Sequence, residues 1–537
     1  MSDDDVPPIV RDLLQPRALG LTEGARTELR VTHASWVILT DSDVWKIKRP
    51  VDLGFLDYRT TESRHRFCDE EVRLNRRLAP DVYLGVDPIH ATAGGHALKD
   101  DGPVVDWAVH MRRLPDQRSA QALVAQNALD APMLERLAEH LAEFFGRAES
   151  VPEYGALAVL RKNVEENFVQ VAPFVDDLLE QVALDGVKAF QLDQLARASD
   201  RFAERVASGR IRDGHGDLRL EHVYFLERPG QPPPSPVIID CIEFTPRFRC
   251  GDVAGEIAFL AMELEAVRRP DLAAGLVARF AEATGDFGIY RVLDFYLSYR
   301  AWVRGKVAAF VAADATASTE IRRRKREEAR RDMALARSFA GQRLDRPFLI
   351  VVGGMIGSGK STLAAALGRA LATPVVSSDR TRKARAGVTP TARADARLYA
   401  LEERERIYAT LIRTAADVLQ SGRGIILDAT FAERRWRWQA AAAAHAAQAT
   451  FVFIETVAQD METLRQRLTE RRQGPSLSDA TDEQLAHFVS EYESPSELDP
   501  APRFEVATSA TPARALAEAL THLDRLGIER ASKRCRS

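Results

Sequence analysis

The stretch FLIVVGGMIGSGKST at residues 348–362 decides half of the fold. Its first five residues are apolar without a break, which is how a strand buried on both faces reads; a strand with one solvated face would alternate. Glycines then interrupt the run. Gly354, Met355, Ile356, Gly357, Ser358, Gly359, Lys360 and Ser361 satisfy G-x-x-x-x-G-K-[ST], Thr362 follows, and a helix over 360–371 comes directly after. Each residue type has a job in such a turn. The glycines let the backbone curl so that N–H groups point inward at an anion, and the helix N-terminus adds positive potential. Lys360 reaches terminal phosphates and Ser361 can ligate Mg²⁺. The implied cofactors are ATP and Mg²⁺.

Downstream, strand and helix patterns alternate: PVVSSD (374–379), a long helix from about 394 to 420, GIILDAT (424–430), an Ala-rich helix, TFVFIE (450–455), a further helix, FEVATS (504–509) and a closing helix. This order implies a parallel sheet covered on both faces. Asp379 ends the second strand at the edge where phosphates lie; there it can orient Mg²⁺, accept a hydroxyl proton, or simply cap the next segment. Asp428 ends the third strand like a Walker B carboxylate. Arg434 and Arg435, then Arg465, Arg467, Arg471 and Arg472 precede QGPSLSDA (473–480), as arginines on a closing lid would. Residues 347–525 thereby resemble the small P-loop kinases that include zeta toxins, gluconate kinases and polynucleotide kinase domains. The resemblance implies ATP-dependent phosphorylation of a small hydroxylated substrate, with Asp379 as base, Lys360 at the phosphates, and Arg467 and Arg471 on the nucleotide.

Upstream, a charged helical stretch at 320–337 gives way to the apolar strand, and the domain boundary is read at 338/339. The domains are then 1–338 and 339–537. SWVILT (35–40) and VWKIK (44–48) read as a β-hairpin, TESRHRFCDEEVRLNRRLAP (61–80) as a helix stopped by Pro80, and VVDWAVHMR (104–112) as a third strand. Mainly helical sequence runs to about 208, then HGDLRLEHVYFL (215–226) and VIIDCIEF (237–244) flank the proline-rich loop ERPGQPPPSP (227–236). Asp217 and Asp240 sit at the ends of adjacent short strands, where two carboxylates can share one Mg-nucleotide. Lys46 and Lys48 project from one strand face; either can contact phosphates, with Glu70 or Glu71 on the next helix as its partner.

These signatures resemble the H-G-D-x-x-x-x-N and I-D motifs of aminoglycoside-phosphotransferase-like kinases. That implies an α+β, bilobal, protein-kinase-like N-terminal domain with Asp217 as catalytic base and Asp240 as metal ligand. His222 stands where that family has its metal-binding Asn, and imidazole is a poor Mg²⁺ ligand. Either Glu221 or water substitutes, or Mn²⁺ is used, or this lobe transfers phosphate slowly or not at all. The whole chain resembles proteins described as bifunctional aminoglycoside phosphotransferase/ATP-binding proteins: a kinase-like domain fused to an α/β P-loop NTPase domain. A degenerate N-terminal kinase gating the C-terminal unit, and polynucleotide-kinase-like chemistry, are the alternatives.

Composition bounds the rest. With 537 residues, 45% hydrophobic, there is ample material for more than one core. A net charge of −4 gives no global attraction to nucleic acid or an anionic membrane, and neither is expected as a partner. Four scattered cysteines and no apolar leader make the cytoplasm the expected location.

Overall fold

The computed structural model of the chain describes residues 6–52, 54, 56–174, 181–227, 234–315, 317–340, 347–388, 400–471, 482–498, 501–509 and 511–529. Two compact units form, Met1–Ala156 with Val206–Leu260, and Leu157–Arg205 with Ala261–Ser537.

In the first unit, six strands make one antiparallel sheet: β1 (Glu28–Val31), β2 (Ser35–Leu39), β3 (Asp43–Lys48), β4 (Tyr83–Thr92), β5 (Gly95–Ala97) and β6 (Val104–Arg112), in the order β1-β2-β3-β6-β4-β5. The expected hairpin is β2–β3, with Ser35 opposite Lys48 and Leu39 opposite Val44. Alternation then sorts the side chains. Trp36, Ile38, Trp45 and Ile47 fill the core on one face, whereas Leu39 and Val44 pack on the other with Cys68 and Val72 of the helix Thr61–Asn75. Lys46 and Lys48 share the parity of Val44, so the hairpin register turns both lysines toward that helix. Three strands of this sheet escape the sequence reading. Gly85 and Pro88 break the period of β4, and β1 and β5 are too short to carry one. Two small ribbons complete the unit, β7 (Ile211–Asp213) with β10 (Cys250–Asp252) and β8 (Val223–Leu226) with β9 (Ser235–Ile238). The H-G-D turn links β7 to β8, and Asp240 follows β9. Residues 228–233 of the proline-rich loop lie outside the described residues.

The second unit holds the expected parallel sheet: β11 (Phe348–Gly354), β12 (Val375–Ser377), β13 (Ile425–Asp428), β14 (Thr450–Val457) and β15 (Arg503–Ala507), ordered β12-β13-β11-β14-β15. Every residue of β11 and β13 is buried, which explains their unbroken apolar runs. Phe348, Ile350 and Val352 meet Leu363 and Leu367 of the helix Lys360–Leu371 and Leu520 and Leu523 of the helix Pro512–Arg525 in one core. The helical segments 157–205 and 261–340 belong to this unit as well. The central place of β11 matters for the site. Asp428 pairs in register with Val352 on one side and Ser377 on the other, so the carboxyl ends of three strands converge on the glycine turn.

Among the described residues, no helix is long and apolar enough to cross a membrane.

Candidate functional site

The glycine turn has the backbone its sequence demands. Gly354, Gly357 and Gly359 have φ of 126°, 77° and 88°, all in the region that L side chains avoid. At Gly354 sterics add to conformation, because a Cβ there would sit 2.6 Å from the Thr456 carbonyl oxygen. Lys360 opens the following helix and its Nζ donates to the Met355 carbonyl at 2.7 Å, curling back over the turn. Ser358 is locked from below: its hydroxyl meets Thr456 Oγ1 at 2.6 Å and its carbonyl accepts from Thr508 Oγ1 at 2.7 Å. Asp428 is 4% exposed. Burial pushes its carboxyl above the ordinary value and nearby Asp379 adds to this, while Lys360 and hydroxyl donors on Ser361 and Ser377 oppose it. Ser361 and Asp428 thus meet behind the turn, an oxygen-only pair suited to a hard cation such as Mg²⁺.

Asp379 lies in the first turn of the helix Ser378–Arg385 rather than at the end of β12, and its carboxylate is held by Arg382 Nη1 at 2.6 Å. Arg467, on the helix Met461–Arg471, reaches the turn through Thr508, donating to its carbonyl at 2.6 Å and its hydroxyl at 3.2 Å. The Arg471 side chain, Arg472 and QGPSLSDA lie outside the described residues. Arg435 pairs with Glu405 and Glu433, and Arg465 with Glu462, so these two arginines serve surface ion pairs.

In the first unit, a chain of charges crosses from sheet to loop. Lys46 Nζ lies 2.8 Å from Glu71 Oε1 and 2.7 Å from Asp240 Oδ1. Lys48 Nζ lies 2.7 Å from the other oxygen of Glu71 and also contacts Glu243, whose carboxylate accepts from the Tyr58 hydroxyl at 2.6 Å. One carboxylate therefore serves two lysines. Glu71 is fully buried, and although burial raises its proton affinity, the two ammonium groups outweigh it and hold the carboxyl below its ordinary value. Glu70 pairs instead with Arg73 at 2.7 Å. Lys48, 1% exposed, is enclosed by carboxylates, which leaves Lys46 as the lysine beside Asp240.

Asp240 has φ of 65°, a left-handed conformation fixed by its neighbours: its N–H donates to the Tyr83 hydroxyl at 3.1 Å and the N–H of Cys241 to Asn75 Oδ1 at 2.9 Å. Burial favours its neutral form, but Lys46 and His222 prevail and hold the carboxyl well below the usual range. His222 donates from Nδ1 to the Asp217 carbonyl at 2.9 Å, and its Nε2 stands 3.5 Å from Asp240 Oδ2. The imidazole thus occupies the place between the two aspartates. His215, buried, has its pKa lowered to about 4, first by desolvation and then by His222; its Nε2 donates to Ile239 O at 2.9 Å, pinning the loop. Gly216 needs its φ of 86°, since a Cβ would meet the Phe248 carbonyl oxygen at 2.8 Å.

Several members of these sites were not singled out in the sequence. Glu243 and Tyr58 join the lysines, Asn75 and Tyr83 aim Asp240, and Thr456 and Thr508 steady the glycine turn. The signal for Glu243 was present: two lysines of one strand face turned into a core require more than one carboxylate, and IDCIEF supplies one three residues past Asp240.

A family model described as an AAA domain matches residues 349–495. Over 475 residues the chain is 30% identical to the uncharacterized protein Rv2004c of Mycobacterium tuberculosis strain H37Rv, covering 86% of this chain and 89% of that protein. The chain belongs to the Rv2004c family. The uncharacterized protein Mb2027c of Mycobacterium bovis matches to the same extent. Among solved structures, a gluconokinase from Sinorhizobium meliloti is similar at 20% identity, over 34% of this chain and 95% of that one, with a TM-score of 0.26. An ethanolamine kinase from Plasmodium vivax is similar at 10% identity, over 57% and 82%, with a TM-score of 0.33. The segment matched by the AAA-domain model holds the glycine turn, Asp379, Asp428 and Arg467.

Proposed function

We propose that the chain is an ATP-dependent phosphotransferase with two nucleotide-binding domains along its sequence, residues 1–338 and 339–537, each passing a phosphoryl group to the alcohol of a small hydroxylated acceptor. The observation that supports this most is the Ser361 hydroxyl against buried Asp428, directly behind a turn of three left-handed glycines with Lys360 folded over it. Bound Mg²⁺ supplies neutralisation of the β- and γ-phosphate oxygens. Ser361 and Asp428 hold it, and residues 354–359 offer their N–H groups to the phosphates. Lys360 exchanges a neutral carbonyl for a phosphate oxygen, a charge-assisted bond roughly twice as strong. Asp379, its carboxylate held by Arg382, receives the acceptor's proton or orients its hydroxyl. Arg467 and Arg471 complete the nucleotide contacts from their helix.

In the first unit, Asp217 faces the acceptor hydroxyl as base, Asp240 and His222 form the metal position, and Lys46, steadied by Glu71, contacts phosphate. His222 also favours a second reading, in which this unit binds nucleotide without efficient transfer and regulates the other. The test is ADP release from the full chain against a panel of hydroxylated metabolites, in wild type, Lys360→Ala and Asp217→Ala. Each variant should silence one set of acceptors. Full activity of both variants on every acceptor would sink the proposal.

A further inference from the structure

A cavity of about 420 Å³ lies within the second unit, away from the glycine turn. Part of its wall is 371–374, between the glycine-turn helix and β12, and part is 421–424, just before β13. These are the amino ends of parallel strands whose carboxyl ends carry Ser377 and Asp428, so the cavity and the phosphate turn occupy opposite edges of the sheet. The remaining wall comes from the helices Val253–Ala266, Pro270–Thr284 and Leu293–Ala313. Those helices are fastened to the sheet here: Arg279 Nη2 donates to the Thr373 carbonyl at 3.1 Å, the Val375 N–H to Glu282 at 2.7 Å, and Arg423 pairs with Asp294 at 2.5 Å. The volume falls in the range of pockets that enclose small molecules, and the lining of Ala273, Val277, Leu293, Leu297 and Leu371 is mainly aliphatic.

The polar groups of the wall select the ligand. Arg423 is already neutralised by Asp294, and Asp271 by Arg269 at 3.0 Å. Glu265 is different, because its carboxylate has no hydrogen-bond or ion-pair partner among the described residues, and neither does the hydroxyl of Tyr290. Burial accordingly raises the Glu265 carboxyl above its ordinary value, with Arg423 opposing and Asp271 reinforcing the shift. An anionic metabolite would meet one cation already spent on Asp294 and one unpaired carboxylate. A neutral ligand would bury that carboxylate uncompensated, at a cost in desolvation. An ammonium group satisfies Glu265 and leaves an apolar body for the aliphatic wall. We propose that this cavity binds a small organic cation, an amine with an apolar body, independently of the nucleotide.

The experiment is calorimetric titration of the full chain with 4-phenylbutylamine and, as its neutral counterpart, 4-phenylbutan-1-ol. Wild type should bind the amine at least about tenfold more tightly than the alcohol. Glu265→Gln should erase that preference, and Ala274→Trp, at the exposed rim of the cavity, should abolish binding of both. ADP binding should be unchanged in the two variants, which separates loss of the cavity from loss of the fold and from any failure of the kinase reading. Equal binding of the two probes, a preference that survives Glu265→Gln, undiminished binding to Ala274→Trp, or no binding of either probe to wild type overturns the proposal.

Discussion

Asp240 follows one short strand and Asp428 ends another, and each stands near a lysine, yet their surroundings push them in opposite directions. Around Asp240, Lys46 at 2.7 Å and His222 at 3.5 Å overcome burial and keep the carboxylate charged well below the ordinary range. Around Asp428, burial wins; Lys360, whose ammonium donates to a backbone carbonyl, and the hydroxyls of Ser361 and Ser377 compensate only in part. The first site carries its counter-charges inside the fold, whereas the second is short of positive charge until a ligand brings some. If both sites take the proposed nucleotide, they divide the electrostatic work differently, one by ion pairs within the fold and one through the charge its ligand would bring.

The largest effect should follow from breaking the internal pairs. Glu71→Ala takes one of two carboxylate partners from each of Lys46 and Lys48 and is expected to destabilise the first unit by about 3–5 kcal/mol, read as a lower denaturant midpoint for that unit. Lys360→Ala removes a group whose folded-state contact is a carbonyl, so the fold should persist while turnover by the P-loop unit falls about 10²–10³-fold, as for loss of one oriented charge at a developing phosphate charge. If Glu71→Ala left stability unchanged while Lys360→Ala unfolded the second unit, the contrast between the sites would be reversed.

Paired amide substitutions sharpen the same contrast through its sign. The Asp428 carboxyl is raised, so its contribution to stability is complete below the ordinary value of 3.8 and is lost as pH rises through the folded value. At neutral pH, Asp428→Asn should therefore raise the melting temperature of the empty second unit, while weakening Mg-ATP binding there by about 10–100-fold. Asp240 is lowered, so its contribution is present above 3.8 and lost only on strong acidification; Asp240→Asn should lower the melting temperature at neutral pH. On mild acidification, Mg-ATP affinity should begin to fall at the P-loop before it falls at the first site, measured by titrating each site in the variant that disables the other. Parallel shifts in the two amide variants would remove the electrostatic distinction.

The P-loop half was legible because its determinants are local. Five consecutive apolar residues, four glycines and Lys360-Ser361 fall within 15 consecutive positions at 348–362, and each reads by itself. The first unit was legible at its H-G-D turn and less so elsewhere. Lys46, Glu71 and Asp240 come together across 194 residues of separation, and no spacing rule links them; alternation narrowed the lysine to two, and only packing shows Lys48 enclosed by Glu243 and Glu71. Arg435 and Arg465 misled for the complementary reason. A guanidinium serves a phosphate or a glutamate equally well, and Glu405, Glu433 and Glu462 claim Arg435 and Arg465 through contacts that sequence order does not encode.

The smallest expected effect is the one that discriminates most between a working and a regulatory first site. His222 holds its ring by a bond from Nδ1 to the Asp217 carbonyl, leaving Nε2 toward Asp240. Asparagine can keep the donor to that carbonyl and present an amide oxygen where the imidazole nitrogen was, so the loop should keep its path while the metal position gains a hard ligand. If metal ligation limits transfer, His222→Asn should raise phosphotransfer by the first unit several-fold, with the gain larger in Mg²⁺ than in Mn²⁺, because only the former discriminates strongly against nitrogen. Loss of the His222 contribution should at the same time relax the hold on Asp240 and move its carboxyl back toward 3.8, since His222 ranks just after Lys46 among the groups that lower it. A variant that binds nucleotide as wild type does and still transfers nothing in either metal would identify the first unit as a nucleotide sensor.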